Sequence, residues 1–339
     1  MNVCFDNIVG NDALKGRISR DVAENTVSHA YIIEGPSGSG RHTLAKNIAA
    51  ALSCLSEGHV PCGRCKSCKK IFSDGSPDVK VVGFIDEKVT IGVDQIREIK
   101  EDMATFPGEL KVKVYIIENA ESLTVQAQNS FLLSLEEPPE YVRFFLICES
   151  ANSLLETVRS RAPALRMSRL SDSKVKEYIT KNDSRARSLA TEEPESFKIL
   201  VHAADGRIGR ALALLGGRER KAMLEERRIA EEIISLLSSP NRAETLEIIS
   251  TLGNKRQGVI KYLTAVEYAI RDLILLKKSE SVSLCFYTDK EVAQEISTRF
   301  TSSSLISLYD AISEAVSELE ANSNVRLTVL NMMQKAGLI

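Results

Sequence analysis

The chain has 339 residues, of which 43% are hydrophobic and 27% charged, and its formal net charge is −2. This composition is typical of a globular protein and excludes the collagen, coiled-coil and disordered classes. The length predicts two or three domains, and the near-neutral charge argues against wrapping nucleic acid by charge alone. No run approaches the ~18 apolar residues of a membrane span, and the N-terminus lacks a basic segment followed by an apolar run. We therefore expect a cytoplasmic protein.

The first half of the sequence alternates short apolar runs with segments of helical apolar spacing. The runs that predict strands are 31–34, 79–85, 112–117, 144–148 and 164–167. The segments that predict helices are 12–24, 43–52, 93–103 and 124–135. Strands that alternate with helices indicate a parallel sheet in an α/β layer fold. The third and fourth runs are almost entirely apolar, as expected of strands covered on both faces.

The strand signals stop after about residue 168, and the rest of the sequence predicts helices. Ser171 can cap the first of these helices, and one later helix carries an apolar stripe typical of a bundle core. The predicted helices are 172–181, 195–203, 207–215, 218–238, 241–252, 257–278, 289–299, 302–321 and 325–336. The stripe consists of Leu305, Leu308, Tyr309, Ile312, Val316 and Leu319. We predict an α/β domain over 1–168, a small helical domain over 169–217 and a helical bundle over 218–339.

A glycine-rich turn, Gly35-Pro-Ser-Gly-Ser-Gly40, joins the first predicted strand to a helix that opens with Arg41-His42-Thr43. A strand, a glycine-rich turn and a helix are the context of a phosphate-binding loop, although a plain tight turn is an alternative. Glycines let backbone N–H groups converge on phosphate oxygens, and the helix N-terminus adds a favourable field. The candidate nucleotide-binding residues of this loop are Gly35, Gly38, Gly40, Arg41, His42 and Thr43.

The loop departs from the G-x-x-x-x-G-K-[ST] pattern at both of its chemical positions. Arg41 replaces the lysine, and His42 replaces the hydroxyl residue that would hold Mg²⁺, an ion that prefers oxygen ligands. The strand 112–117 ends in Glu118-Asn119, where an NTPase needs two acids. An amide cannot accept a proton, and losing a general base costs about 10²–10⁴ in rate. We infer a nucleotide-binding fold that has lost its chemistry, and whether nucleotide still binds is left open.

Four of the seven cysteines fall within one short stretch: Cys54, Cys62, Cys65 and Cys68. The spacing C-x₇-C-x₂-C-x₂-C suits a structural Zn²⁺ with all four positions occupied by thiolates. A [4Fe–4S] cluster would need a further cysteine where Phe72 stands, and four thiols without metal are the remaining alternative.

Several motifs resemble the bacterial clamp-loader AAA+ subunits of the replicative DNA polymerase III. The resemblance covers about residues 1–215, and the remainder is similar only in length and helical character. Besides the phosphate loop and the cysteine module, the matching motifs are Phe5-Asp-Asn-Ile-Val-Gly10, His29-Ala-Tyr31, Ser76-Pro-Asp78, Val93-Asp-Gln-Ile-Arg-Glu98, Asn129-Ser-Phe-Leu-Leu-Ser-Leu-Glu-Glu-Pro-Pro139 and Ser160-Arg161.

The resemblance implies an AAA+ (P-loop) parallel-sheet domain, a small helical lid and an all-α collar that joins other subunits. Active ATPase subunits of the family keep the groups that this chain lacks, and they carry a nucleotide-contacting Arg where Gly209 stands. The departures are similar to those of the delta-prime subunits, which do not hydrolyse ATP. In the family, the arginine that matches Arg161 reaches a neighbouring subunit's ATP site. A surface ion pair is the alternative for this residue.

The resemblance therefore predicts a subunit that helps to load the sliding clamp onto primed DNA and supplies Arg161 in trans. Its expected partners are gamma/tau and delta subunits, and, through the complex, the clamp and primer-template DNA. An active gamma/tau-type ATPase with an atypical loop is the main alternative, and an AAA+ scaffold outside replication is another. In the family, the turn at 136–139 lies against neighbouring elements of the ring, which predicts an architectural role.

Overall fold

The computed structural model of the chain describes residues 2–85, 89–238, 252–253, 255–279, 282 and 284–337. The chain divides into two compact units. The first comprises Met1–Tyr178 and Gly206–Arg210, and the second comprises Ile179–Asp205 and Ala211–Ile339. The three-domain division stays a prediction. None of the described helices combines the length and apolar character that crossing a membrane requires.

The first unit is built around a parallel sheet of five strands in the order β4-β5-β6-β2-β7. A separate two-stranded parallel sheet joins β1 to β3. The strands are β1 (Asn2–Val3), β2 (Ala30–Glu34), β3 (His59–Val60), β4 (Val79–Val82), β5 (Lys113–Ile117), β6 (Val142–Cys148) and β7 (Ala164–Arg166). The helices are α1 (Asp12–Ala23), α2 (Arg41–Ser53), α3 (Lys66–Phe72), α4 (Val93–Met103), α5 (Val125–Glu136), α6 (Glu156–Arg159) and α7 (Asp172–Asn182). The predicted α/β fold class with a parallel sheet is confirmed.

Helices cover both faces of this sheet, because side chains alternate along each strand. On β5, Val114 and Ile116 face a core that includes α1 and α2. Tyr115 and Ile117 face a second core that includes α4 and α5. Every residue of β5 is buried, which confirms the expectation for this apolar run.

Strand β4 is shorter than predicted, since it ends at Val82 rather than at residue 85. It lies at an edge of the sheet and pairs only with β5. The last bond of this ladder runs from the Glu118 N–H to the Val82 carbonyl. Because β5 ends there, the following apolar residues have no strand partner and Phe84 and Ile85 are exposed.

The second unit is helical. After α7 the chain forms α8 (Ser184–Glu192), α9 (Pro194–Ala203), α10 (Ile208–Leu214), α11 (Gly217–Leu237), α12 (Arg256–Lys278), α13 (Lys290–Thr298), α14 (Ser302–Glu320) and α15 (Val325–Lys335). The sequence analysis missed α8, which Asp183 caps by accepting the Arg185 N–H. The predicted helix over 241–252 lies, apart from Leu252, outside the described residues.

The core of this bundle is formed by α11, α12, α14 and α15. The predicted apolar stripe of α14 lies in it: Leu305, Leu308, Ile312 and Leu319 are buried, while Tyr309 and Val316 pack at its margin. The interpretation of this stripe as bundle core is therefore confirmed.

Candidate functional site

The glycine-rich turn lies between β2 and α2, as a phosphate-binding loop requires. All three of its glycines have backbone angles that L side chains rarely adopt, with φ of 152° at Gly35, 81° at Gly38 and 97° at Gly40. Gly40 is the residue that precedes α2, which begins at Arg41. The local chain path is therefore that of a loop whose N–H groups precede a helix N-terminus.

The parallel sheet brings the end of this loop close to the end of β5. Strands β2 and β5 flank β6, and the carboxyl ends of parallel strands meet at one edge of a sheet. Here His42 Nδ1 lies 3.0 Å from Glu118 Oε1. Burial lowers the pKa of His42 below its ordinary value, although the Glu118 carboxylate opposes this shift. The lowered pKa favours the uncharged imidazole at neutral pH.

The contact joins the two residues that stand where an active enzyme holds Mg²⁺. That ion prefers oxygen ligands at about 2.0–2.1 Å in octahedral geometry. An imidazole and a single carboxylate that lie in contact with each other do not fit this requirement.

Asn119 follows in a left-handed conformation, with φ of 50°. Asparagine tolerates this region better than most residues, and its carbonyl accepts the Ser122 N–H at 2.8 Å. Asn119 therefore forms part of the turn after β5, and its side-chain amide cannot act as a general base. The neighbouring Cys148 at the end of β6 is buried, which raises its pKa to about 12 and keeps the thiol neutral.

The remaining loop side chains differ in their surroundings. Arg41 Nη1, Ser39 Oγ and His42 Nε2 are buried atoms without a hydrogen-bond partner among the described residues. Thr43 is exposed, and its carbonyl accepts from Asn47 within α2. The structure therefore brings Arg41 and His42 to the loop but leaves the hydroxyl of Thr43 one position beyond the place that the motif assigns to it.

A contact that the sequence analysis did not anticipate closes on the loop from the start of α10. The Gly209 N–H donates to the Gly38 carbonyl at 2.9 Å. A Cβ added at Gly209 would lie 2.9 Å from Gly38 Cα and 3.0 Å from its carbonyl oxygen. The two backbones thus meet where neither residue leaves room for a side chain. Arg210 lies one position after the place where the family's nucleotide-contacting arginine is expected.

Substituting Gly209 with alanine is expected to destabilise the chain by about 1–3 kcal/mol, because the added methyl overlaps backbone atoms that cannot rotate away. Thermal and urea unfolding would measure the loss. Gly16→Ala is the matched control, since a Cβ at Gly16 in α1 meets no atom within 4 Å. The control should be neutral or slightly stabilising. Equal stability of the two variants would contradict the tight approach of Gly209 to Gly38.

The four clustered cysteines form a compact candidate metal centre. The sulfurs of Cys54, Cys62, Cys65 and Cys68 all lie within 4.8 Å of one another. A tetrahedral Zn²⁺ with Zn–S bonds of about 2.3 Å requires sulfurs ~3.8 Å apart, so the arrangement fits. A metal ion can therefore be held here by four thiolates. Cys54 directly follows α2, and Cys65 caps α3, so two helices position the ligands.

Backbone N–H groups point at several of these sulfurs, which favours thiolates. The N–H groups of Arg64 and Cys65 lower the pKa of Cys62 to about 6. The Cys68 N–H donates to Cys65 Sγ at 3.5 Å. Burial raises the pKa of Cys68 and so disfavours its thiolate form. The positive charge of a bound metal ion would stabilise that thiolate. The helix α3 inside the module was not predicted, since its seven residues carry only short apolar spacing.

Arg161 lies just after α6, on the surface of the first unit, with 32% of its side chain exposed. Its Nε donates to Glu136 Oε1 at 2.7 Å and its Nη1 to the Thr157 carbonyl at 2.8 Å. The adjacent Arg159 instead bonds to Asn152. The ion pair considered for Arg161 is thus present, and its partner Glu136 was interpreted from the sequence only as part of an architectural turn.

Two comparisons with known proteins address this arrangement. A family model described as DNA polymerase III, delta subunit, matches residues 10–171, which include the loop, the cysteine cluster and Arg161. The chain is 33% identical over 162 residues to DNA polymerase III subunit delta' of Bacillus subtilis, covering 48% of this chain and 49% of that protein. It is 36% identical over 152 residues to subunit delta' of Haemophilus influenzae, covering 45% and 46%. Over about half of its length, the chain is therefore similar to subunits of bacterial DNA polymerase III.

Tau and gamma/tau subunits of DNA polymerase III also match the chain. DNA polymerase III subunit tau of Bacillus subtilis is 26% identical over 339 residues, which cover 95% of this chain and 59% of that protein. The chain thus spans about half to three fifths of the length of these relatives. Both delta' and gamma/tau subunits match, so these similarities do not select between the two kinds of subunit.

Proposed function

We propose that the chain is a delta-prime-type clamp-loader subunit that does not hydrolyse ATP. It helps to load the sliding clamp onto primed DNA, and it supplies Arg161 as an arginine finger to the ATP site of a neighbouring subunit. Its partners in this proposal are gamma/tau ATPase and delta subunits. It meets the clamp and primer-template DNA through the complex, in the cytoplasm, and a structural Zn²⁺ at the four cysteines braces its AAA+ domain.

The contact between His42 and Glu118 is the observation that carries this proposal. Both side chains are 37–38% exposed, and His42 Nδ1 lies 3.0 Å from Glu118 Oε1. Each side chain therefore has the other as its neighbour where a metal ion would have to bind. Moving them onto a magnesium ion would separate this pair and still supply a nitrogen ligand to a metal that prefers oxygen.

Two further features support the absence of hydrolysis. Asn119 replaces the base that activates water, and a missing base costs about 10²–10⁴ in rate. Gly209 meets Gly38 backbone to backbone, so the position of the nucleotide-contacting arginine is taken by a close packing contact. Because these features lie on different segments, they reduce turnover independently.

The group that acts on the neighbour is Arg161. A guanidinium keeps its charge at all physiological pH values and can donate hydrogen bonds to phosphate oxygens. Its side chain is partly exposed at the end of a short surface helix, where a second subunit could approach it. An arginine supplied in trans stabilises the charge on a phosphoryl group in transfer.

An active gamma/tau-type ATPase is the second candidate, favoured by the extent of one match. The tau relative aligns with 95% of this chain, whereas the two delta' relatives align with 45–48%. In this alternative, Arg41 would contact the outer phosphates of ATP. Glu118 would move away from His42 and bind the metal ion.

An ATPase assay separates the two candidates. The isolated full chain with Mg²⁺ and ATP is expected to show no turnover above that of its own Arg41→Ala variant. The same preparation should raise hydrolysis by gamma/tau-type subunits when clamp and primed DNA are present. Magnesium-dependent turnover by the isolated chain that disappears in Arg41→Ala would favour the active ATPase instead.

A further inference from the structure

The guanidinium of Arg161 makes several hydrogen bonds to other groups of the chain. A guanidinium has five N–H donors. Nε and Nη2 both bond to Glu136 Oε1, and Nη1 bonds to the Thr157 carbonyl and, at 3.1 Å, to Ser160 Oγ. Four of the five donors therefore have acceptors within the chain. Thr157 and Ser160 are local to Arg161, whereas Glu136 lies 25 residues earlier in the sequence.

Glu136 is well placed to fix this geometry, because it belongs to an anchored helix. It is the last residue of α5, whose Phe131 and Leu135 are fully buried in the core beneath the sheet. Pro138 and Pro139 come after Glu137, and proline cannot continue a helix. The carboxylate thus projects from a rigid helix end onto a flexible side chain.

We infer that Glu136 is a positioning residue for Arg161, an inference that rests on the proposed function. An unrestrained arginine samples many rotamers, and ordering it at the moment of reaction slows the catalysed step. A carboxylate that bonds to the Nε and Nη2 edge holds the guanidinium plane in one orientation before the neighbouring subunit arrives. The charge of Arg161 is retained, since arginine is not deprotonated in proteins.

The same ion pair could instead act as a latch that competes with phosphate for the guanidinium. The two roles predict opposite effects on the neighbour's rate of ATP hydrolysis when the carboxylate is removed. A positioning carboxylate increases hydrolysis by the neighbour, so its removal lowers the rate. A latch decreases hydrolysis, so its removal raises the rate. The exposed fraction of Arg161 favours positioning, because 32% of the side chain is open to solvent while the ion pair is made.

The test compares Glu136→Ala and Glu136→Gln in a reconstituted complex of this chain with gamma/tau-type and delta subunits, clamp and primed DNA. Glu136→Ala is expected to lower kcat for ATP about 10-fold, with KM for ATP unchanged, because misplacing a catalytic group slows the chemical step. Glu136→Gln should retain most of the rate, since its amide oxygen accepts the same N–H groups. Glu140→Ala is the matched control, because Glu140 is an exposed glutamate that lies outside the turn at 136–139.

The outcomes separate the inference from the function on which it rests. If Arg161→Ala abolishes the stimulation and Glu136→Ala leaves kcat unchanged or raises it, the positioning role is wrong and the proposed function stands. If Arg161→Ala has no effect, both are wrong. In an Arg161→Ala background, Glu136→Ala should cause no further loss. A lower melting temperature or weaker subunit assembly in Glu136→Ala that accounts for the whole loss, with no rescue by Glu136→Gln, would make Glu136 merely structural and overturn the inference.

Discussion

Replacing Arg161 with alanine is expected to lower hydrolysis at the ATP site that the chain borders by about 10³-fold or more, in line with the effect of arginine fingers in other NTPases. The physical reason is that charge spreads over the phosphoryl oxygens in the transition state, where a guanidinium bonds more strongly than in the ground state. The measurement is single-turnover ATP hydrolysis by the reconstituted complex, with the other ATP sites inactivated at their phosphate-loop lysine.

Two companion variants give this experiment its controls. Arg159→Ala removes a guanidinium two residues away that bonds to Asn152, and it should leave the rate unchanged. Arg161→Lys keeps the positive charge but loses the planar fork, so we expect an intermediate rate. Wild-type hydrolysis by Arg161→Ala would show that this chain contributes no finger, whatever its place in the complex.

Loss of the metal at the four cysteines is expected to have the second large effect. In zinc-finger peptides, binding of structural zinc contributes about 10–16 kcal/mol to folding. Here α2 and the sheet have their own core, so we expect a smaller loss of at least about 3 kcal/mol from the first unit. Cys62→Ser removes one thiolate and should reduce both the zinc content per chain and the melting temperature. Plasma mass spectrometry and thermal unfolding, with and without a chelator, would measure these quantities.

Cys4→Ser provides the matched control for the metal experiment. The Cys4 thiol lies outside the cluster and donates to Asp6 Oδ1 at 2.8 Å, a bond that a hydroxyl can keep. Its zinc content and stability should equal those of the wild type. A brown protein that contains iron would show that the cysteines hold an iron–sulfur cluster instead of zinc. A metal-free chain of unchanged stability would show that the cysteines hold no metal.

The effect of pH on the cysteine cluster follows from the same ligands. Metal binding requires thiolates, so lowering the pH protonates them and releases the ion. The lowered pKa of Cys62, about 6, keeps this ligand ionised at neutral pH, whereas the raised pKa of Cys68 makes that ligand depend on the metal. Retention of the metal should therefore fall as the pH decreases below neutrality.

Local sequence patterns were sufficient for most helices and strands of the first unit. The helix at Val93–Met103 was predicted with its observed ends, because its apolar residues face the sheet at regular helical spacing. The buried strand β5 was recognisable by its continuous apolar run. Prediction was weaker for α3 and α8, whose charged and short segments have little apolar periodicity, and for β1 and β3, whose two-residue pairing depends on a distant partner.

The amino-acid sequence alone determined which chemical groups this protein has and which it lacks. Replacement of the loop lysine by Arg41, of the hydroxyl residue by His42 and of the base by Asn119 is a matter of composition at motif positions, and no fold restores the missing oxygen ligand or base. The spacing of the cysteines likewise indicated a metal centre, because the ligands are close in the chain.

Only the tertiary structure decided how the altered groups are used. His42 meets Glu118 because two strands separated by many residues end at the same edge of a parallel sheet. The pairs Gly38–Gly209 and Glu136–Arg161 likewise depend on where distant segments cross. Such contacts leave no periodic signal in a single sequence, since each residue is compatible with many surroundings until the whole chain has folded.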